Sequence, residues 1–202
     1  MPATTHLLYL HGFRSSPQSA KAQLLQHHVS EHDPQVLFAA PQLPPSPKQA
    51  AALLLQTTHA WDDVPRDRMA VIGSSLGGFY ATWLAQQLAC KSVLINPSIA
   101  PWVTLQRYLG VLSPWDKPNE TFDFRPEHLD ELEALDVAHQ PPAAPQLLIV
   151  ATGDEVLDWR DTVRRYPQAT TLVHEGGDHG LPNFADYLPE IEKFLHWRPR
   201  HE

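Results

Sequence analysis

Six short apolar runs, each closed by a turn signal, set the rhythm of the chain. They are Leu7 to Leu10, Val36 to Ala39, Met69 to Gly73, Ser92 to Asn96, Gln146 to Ala151 and Thr170 to His174. The first, Leu7-Leu8-Tyr9-Leu10, has no polar position to turn towards water, as a strand covered on both faces of a parallel sheet requires. Segments with helical spacing lie between the runs. Ala22, Leu24, Leu25 and Val29 mark the first, and Ser46-Pro47 predicts an N-cap and first residue for a second through Leu55. Phe79 to Ala89, Pro126 to Leu135 and Asp158 to Tyr166 follow, and Asn183 stands where it would cap a last helix reaching Trp197. Strands alternating with helices predict an α/β fold, a mostly parallel sheet with helices on both faces, in one domain over residues 1–202. The alternation breaks from Pro97 to Pro145, where Trp102, Tyr108, Trp115 and several prolines predict a cap or lid over about residues 97–145.

Composition narrows the partners. A formal net charge of −8 disfavours nucleic acid and anionic membranes, which need basic patches. The single cysteine, Cys90, ends a helical pattern and is expected as a packed thiol with no internal disulfide. No stretch is long enough for a membrane span, and Met1 to Thr5 lacks the charged start of a signal segment, so the expected compartment is the cytoplasm. His28 and His32 lie four apart on a helix without a third ligand, which predicts a solvated face rather than a metal site, and His174 is expected to be packed. With no dinucleotide fingerprint, P-loop or zinc signature, no cofactor or metal is expected.

The chemistry concentrates where strands end, at the sheet edge where open α/β sheets bind ligands. The third run stops at Gly73-Ser74-Ser75-Leu76-Gly77-Gly78, a G-x-S-x-G turn between strand and helix. A serine at the tip of so tight a turn forces the residues two before and two after it together. For Ser75 both are glycine, whereas for Ser74 they would be Ile72 and Leu76, so Ser75 is the candidate nucleophile. The N–H of Leu76 and that of Phe13, in the His11-Gly12-Phe13 turn after the first run, are the candidate oxyanion donors. Gly153-Asp154-Glu155 follows the fifth run and Gly176-Gly177-Asp178-His179 the sixth, which supplies acid and histidine in the order Ser…Asp…His. Asp154, Glu155, Asp158 and Asp178 compete for the acid. Asp154 leads as the first residue past the Gly153 turn, while Asp158 reads as a helix cap and Asp178 as a turn former too close in sequence to orient its neighbour. His11, with Trp102 and Tyr108 of the cap segment, are the expected walls of the substrate pocket.

These pieces resemble the YqiA-like family of small bacterial α/β-hydrolases described as esterases. Tyr9 to Phe13 with Ser15-Ser16-Pro17, Pro41 to Pro45, Gly73 to Gly78, Asn96-Pro97, Tyr108-Leu109-Gly110, Thr152 to Asp158 and Gly176 to His179 carry the likeness nearly end to end. The resemblance implies the α/β-hydrolase fold, a Ser75-His179-Asp154 triad, and serine-esterase hydrolysis of short acyl esters or fatty-acyl thioesters. Two departures bear on the substrate. Ala100 stands where the family has arginine, removing a cation near the site, and Asp178 stands where asparagine is frequent. Amide hydrolysis on the same residues and a catalytically idle binding module are the alternatives.

Overall fold

Eight strands and seven α-helices make up residues 3–197, the part of the chain described by the computed structural model. The strands are β1 (His6–Leu10), β2 (Leu37–Ala39), β3 (Met69–Ser74), β4 (Lys91–Ile95), β5 (Gly110–Leu112), β6 (Phe122–Phe124), β7 (Gln146–Ala151) and β8 (Thr170–His174). The helices are α1 (Ala20–His32), α2 (Pro47–His59), α3 (Leu76–Leu88), α4 (Pro101–Thr104), α5 (Pro126–Ala134), α6 (Trp159–Arg165) and α7 (Leu188–Leu195). Six strands pair in parallel in the order β2-β1-β3-β4-β7-β8.

Burial explains why the apolar runs do not alternate. Leu7, Tyr9, Ala70, Ile72, Leu147 and Ile149 face one layer, built from α1 and α7, while Leu8, Leu10, Val71, Leu148 and Val150 face the other, built from α2, α3, α5 and α6. Each fully buried leucine or isoleucine in these layers stabilises the fold by roughly 1.5–3 kcal/mol. Ser46 accepts from Gln49 N–H (3.2 Å) and Asp158 from Arg160 N–H (2.8 Å), so α2 and α6 start where the caps predict. Register keeps the strand ends level, with Leu10 beside Gly73, Ser74 beside Ile95 and Ala151 beside His174.

Two expectations change, and one element is added. Asn183 does not cap the last helix: a 3₁₀ turn (Phe184–Tyr187) intervenes, and α7 begins at Leu188, beside Pro189, whose fixed φ suits a first turn. His28 is not on a solvated face, because its Nε2 meets Glu192 Oε1 at 2.6 Å and links α1 to α7. Within residues 97–145, β5 and β6 form an antiparallel hairpin too short to show a period in the sequence.

Candidate active site

Ser75 sits between β3 and α3 with φ 58° and ψ −122°, a conformation costly for a residue bearing a Cβ. The surroundings hold it there. Ser75 N–H donates to Ile95 O (3.0 Å), and its carbonyl accepts from Gly78 N–H (2.9 Å) and Ser98 N–H (3.0 Å). A Cβ on Gly73 would collide with the Gly77 carbonyl, as the tight turn demands. A Cβ on Gly77 would instead strike the Leu10 carbonyl, so this glycine lets the start of α3 press against β1. Ser74, by contrast, is the last residue of β3 and is buried.

Across the sheet edge, His179 Nδ1 lies 2.8 Å from Asp154 Oδ2 and Nε2 lies 2.9 Å from Ser75 Oγ. A carboxylate only accepts, so Nδ1 carries the proton and Nε2 is left to accept from the serine hydroxyl. The Asp154 side chain is 2% exposed, and its other oxygen accepts from Val156 N–H (2.8 Å) and Leu157 N–H (2.9 Å). Among the described residues, Asp154 is the one acid hydrogen bonded to this ring. Glu155 accepts from the His179 N–H (3.0 Å), a bond that holds its carboxyl below the usual range, and Asp158 is occupied at α6.

The histidine loop has a support that the sequence reading passed over. Asn96, 2% exposed and at φ 39°, donates from Nδ2 to His179 O (3.0 Å) and Asp178 O (3.3 Å) and accepts on Oδ1 from Ala151 N–H (2.9 Å). One side chain thus ties the ends of β4 and β7 to the loop after β8. An asparagine at a strand end, tolerant of positive φ and followed by proline, was the available signal. Lys21, from α1, donates to Gly180 O on the same loop, and burial lowers its ammonium from the usual lysine range.

Gly12 stands against the serine: a Cβ there would lie 3.3 Å from Ser75 Cβ. This places the Phe13 turn beside the nucleophile position, and Leu76, first in α3, has no intrahelical acceptor for its N–H. His11 is 4% exposed. Its Nε2 accepts from Leu43 N–H (3.1 Å), so Nδ1 carries the proton and donates to Gly12 O (2.9 Å), pinning the turn. Burial keeps this imidazole below its ordinary pKa, hence neutral.

A cavity of about 390 Å³ opens beside Ser75 and His179, walled by Leu105, Tyr108, Trp115 and Leu157. Of the expected walls, Tyr108 lines it and packs on Phe13 (ring centroids 5.8 Å apart). His11 faces a neighbouring cavity of about 240 Å³ instead. Trp102 is absent from the lining of the Ser75 cavity; partly buried, it packs against the core with its ring 6.1 Å from that of Phe79. Ala100 bears no charge, yet Arg14, Lys21 and Arg107 all reach the Ser75 cavity from other positions. Among the described residues, no group of three or more His, Cys, Asp or Glu could hold a metal ion, and no helix is long and apolar enough to cross a membrane.

Comparison with known proteins agrees with this architecture. Residues 6–196 match the family described as "Uncharacterised protein family (UPF0227)". A UPF0227 protein of Shewanella sp. strain MR-4 is 26% identical over 189 residues, covering 93% of this chain and 98% of that protein. UPF0227 protein YcfP of Salmonella arizonae is 23% identical over 197 residues, covering 93% and 97%. Among solved structures, mouse alpha/beta hydrolase domain-containing protein 10 superposes with a TM-score of 0.69 at 16% identity, covering 97% of this chain and 92% of that one. Est1E of Butyrivibrio proteoclasticus with ferulic acid bound gives 0.71 at 13% identity, covering 96% and 88%, and the Paleococcus ferrophilus monoacylglycerol lipase 0.69 at 14%, covering 96% and 95%. The fold is that of the α/β-hydrolases.

Proposed function

The chain belongs to the UPF0227 family, of which the YqiA-like and YcfP proteins are part, and from that membership and the Ser75 centre we propose that it is a serine hydrolase of carboxylic esters or thioesters. The observation that carries this reading is the unbroken hydrogen-bond path from Ser75 Oγ through His179 to Asp154, at 2.9 and 2.8 Å, on a serine held at φ 58°.

In this reading Ser75 Oγ attacks the acyl carbon while its proton passes to His179 Nε2. The carbonyl oxygen gains the electron pair and is met by the N–H groups of Phe13 and Leu76. Asp154 stabilises the imidazolium and keeps the ring oriented. The intermediate collapses, the C–O or C–S bond breaks, and His179 returns the proton to the leaving group. Water then repeats the sequence on the acyl-enzyme, releasing the acid and restoring Ser75. The names of the structural neighbours, the esterase domain of a Rhodothermus marinus protein and a monoacylglycerol lipase among them, support this class over an idle binding module, which has no use for a strained serine paired with a histidine.

Ser75→Ala is expected to abolish both p-nitrophenyl butyrate hydrolysis and labelling by a fluorophosphonate probe, while Ser74→Ala keeps much of both. A dead Ser74→Ala beside an active Ser75→Ala would overturn the assignment.

A further inference from the structure

The cavity beside Ser75 has a charge pattern opposite to that of the chain. The formal net charge is −8, yet among the described residues this wall holds Arg14, Lys21 and Arg107 and no aspartate or glutamate. Elsewhere Lys117, Arg125, Arg160, Arg164, Arg165 and Lys193 each have a carboxylate partner, while Lys48, Arg66, Arg68 and Lys91, scattered away from this cavity, have none among the described residues. None of the three cavity cations has one within ion-pair distance among the described residues. Lys21 is engaged with the Gly180 carbonyl, and the charge nearest to it in effect is that of Asp178, so it serves the histidine loop.

The two arginines are placed differently. Arg14 directly follows Phe13 and has φ 60°, an uncommon conformation for a long side chain. Its guanidinium lies over the Trp115 ring at 3.8 Å and its Nε donates to Ser113 O (2.7 Å). The backbone is latched too, with Trp115 N–H donating to Arg14 O (2.8 Å). Stacking and one hydrogen bond fix the plane of the group but leave its terminal NH₂ edge without a protein acceptor among the described residues. Arg107 stands 5.0 Å over the Tyr108 ring, itself packed on Phe13, with its guanidinium donors likewise unclaimed there. Arg14 also borders the neighbouring cavity that holds Asp116 and Glu120, but among the described residues neither carboxylate, nor any other, pairs with it or with Arg107. Two guanidinium groups resting on aromatic walls of one cavity, with no ion-pair partner there, can receive a planar or tetrahedral anion.

We propose that Arg14 and Arg107 form an anion-binding subsite at the Ser75 cavity, so that the preferred substrate is an ester carrying a carboxylate or phosphate group. The ester part of this statement rests on the hydrolase reading above; the anion site does not. The test uses three butyrate esters: that of methyl 4-hydroxybenzoate, which is neutral, that of 4-hydroxybenzoate, and 4-butyryloxyphenyl phosphate. The charged-to-neutral ratio of kcat/KM is compared between the wild type and Arg14→Gln/Arg107→Gln, so that differences in leaving-group reactivity cancel. The ratio is expected to fall about tenfold in the double variant, chiefly through KM, and the wild-type preference to shrink with added salt. Whether carboxylate or phosphate shows the larger fall identifies the anion. An equal ratio in both proteins overturns the subsite.

A second measurement needs no turnover. Ser75→Ala, with both arginines present, is titrated calorimetrically with benzoate and phenyl phosphate, and binding of at least one is expected. That binding is expected to disappear when Arg14→Gln and Arg107→Gln are added. No binding by Ser75→Ala, or binding that survives loss of both arginines, overturns the subsite. Failure of the hydrolase reading would show instead as butyrate hydrolysis that persists in Ser75→Ala or is absent in the wild type, and the calorimetry would still decide the anion site.

Discussion

His11 was expected in the substrate pocket, and its contacts give it another task. A neutral imidazole with one nitrogen accepting and the other donating bridges Leu43 and Gly12, and so sets the loop that carries Phe13. Because burial lowers its pKa from the model-compound value of 6.5, the unfolded chain takes up a proton more readily than the native one. Its contribution to stability is therefore present above that value and lost as pH falls below it. The melting temperature of the wild type is expected to drop more steeply between neutral pH and about pH 5 than that of His11→Gln. Parallel curves would show that this ring does not govern the acid limb. The other histidines contribute equally to both proteins, so the difference isolates position 11.

Elements meet at Asn96 and in the segment after it. Asn96→Ala leaves the buried Ala151 N–H and the part-buried His179 carbonyl unpaired, while the Asp178 carbonyl keeps Leu181 N–H as a donor, for a loss of about 1–3 kcal/mol of stability. As His179 loses its fixed backbone, kcat is expected to fall about tenfold or more, with KM changing less. Asn96→Gly, which relieves the φ of 39° but restores no hydrogen bond, should be no better catalytically. A normal kcat in both would confine Asn96 to folding. In the cap segment, Tyr108→Ala enlarges the cavity and should move the optimum in a series of p-nitrophenyl acyl esters to longer chains. Trp102→Ala should leave that optimum in place and destabilise the fold by about 2 kcal/mol, since its ring packs on Phe79. A shift of optimum in Trp102→Ala alone would reverse these roles.

At the scale of the whole molecule, one sheet edge gathers everything chemical while both faces are consumed by packing. Turns after β1, β3, β4, β7 and β8 supply Phe13, Ser75, Asn96, Asp154 and His179, the placement expected of an open parallel sheet. Cys90 shows the other side of this division. It is 2% exposed, and burial pushes its thiol up to about 12. The native protein is expected to resist Ellman's reagent at neutral pH and to react with one equivalent once unfolded in guanidinium. Rapid reaction of the native protein would mean that the layer around Cys90 opens readily.

Sequence alone determined what depends on local chemistry. Unbroken apolar runs specify strands covered on both sides, Ser46 and Asp158 specify helix starts, and two glycines flanking Ser75 specify a turn that Ser74 cannot occupy. Ser75, Asp154 and His179 each lie just past a strand, β3, β7 and β8, and a parallel sheet brings such strand ends to one edge, so the sequence could nominate these three together. Tertiary structure decided what depends on distance in the chain. The hairpin of β5 and β6, the reach of Asn96 across 83 positions to His179, the packing of Trp102 on Phe79, the pairing of His28 with Glu192 and the placing of Arg14 and Arg107 on the wall of one cavity all join segments with no local pattern in common. A side chain's neighbours across the chain are set by how layers pack, and no period or cap in its own segment encodes them.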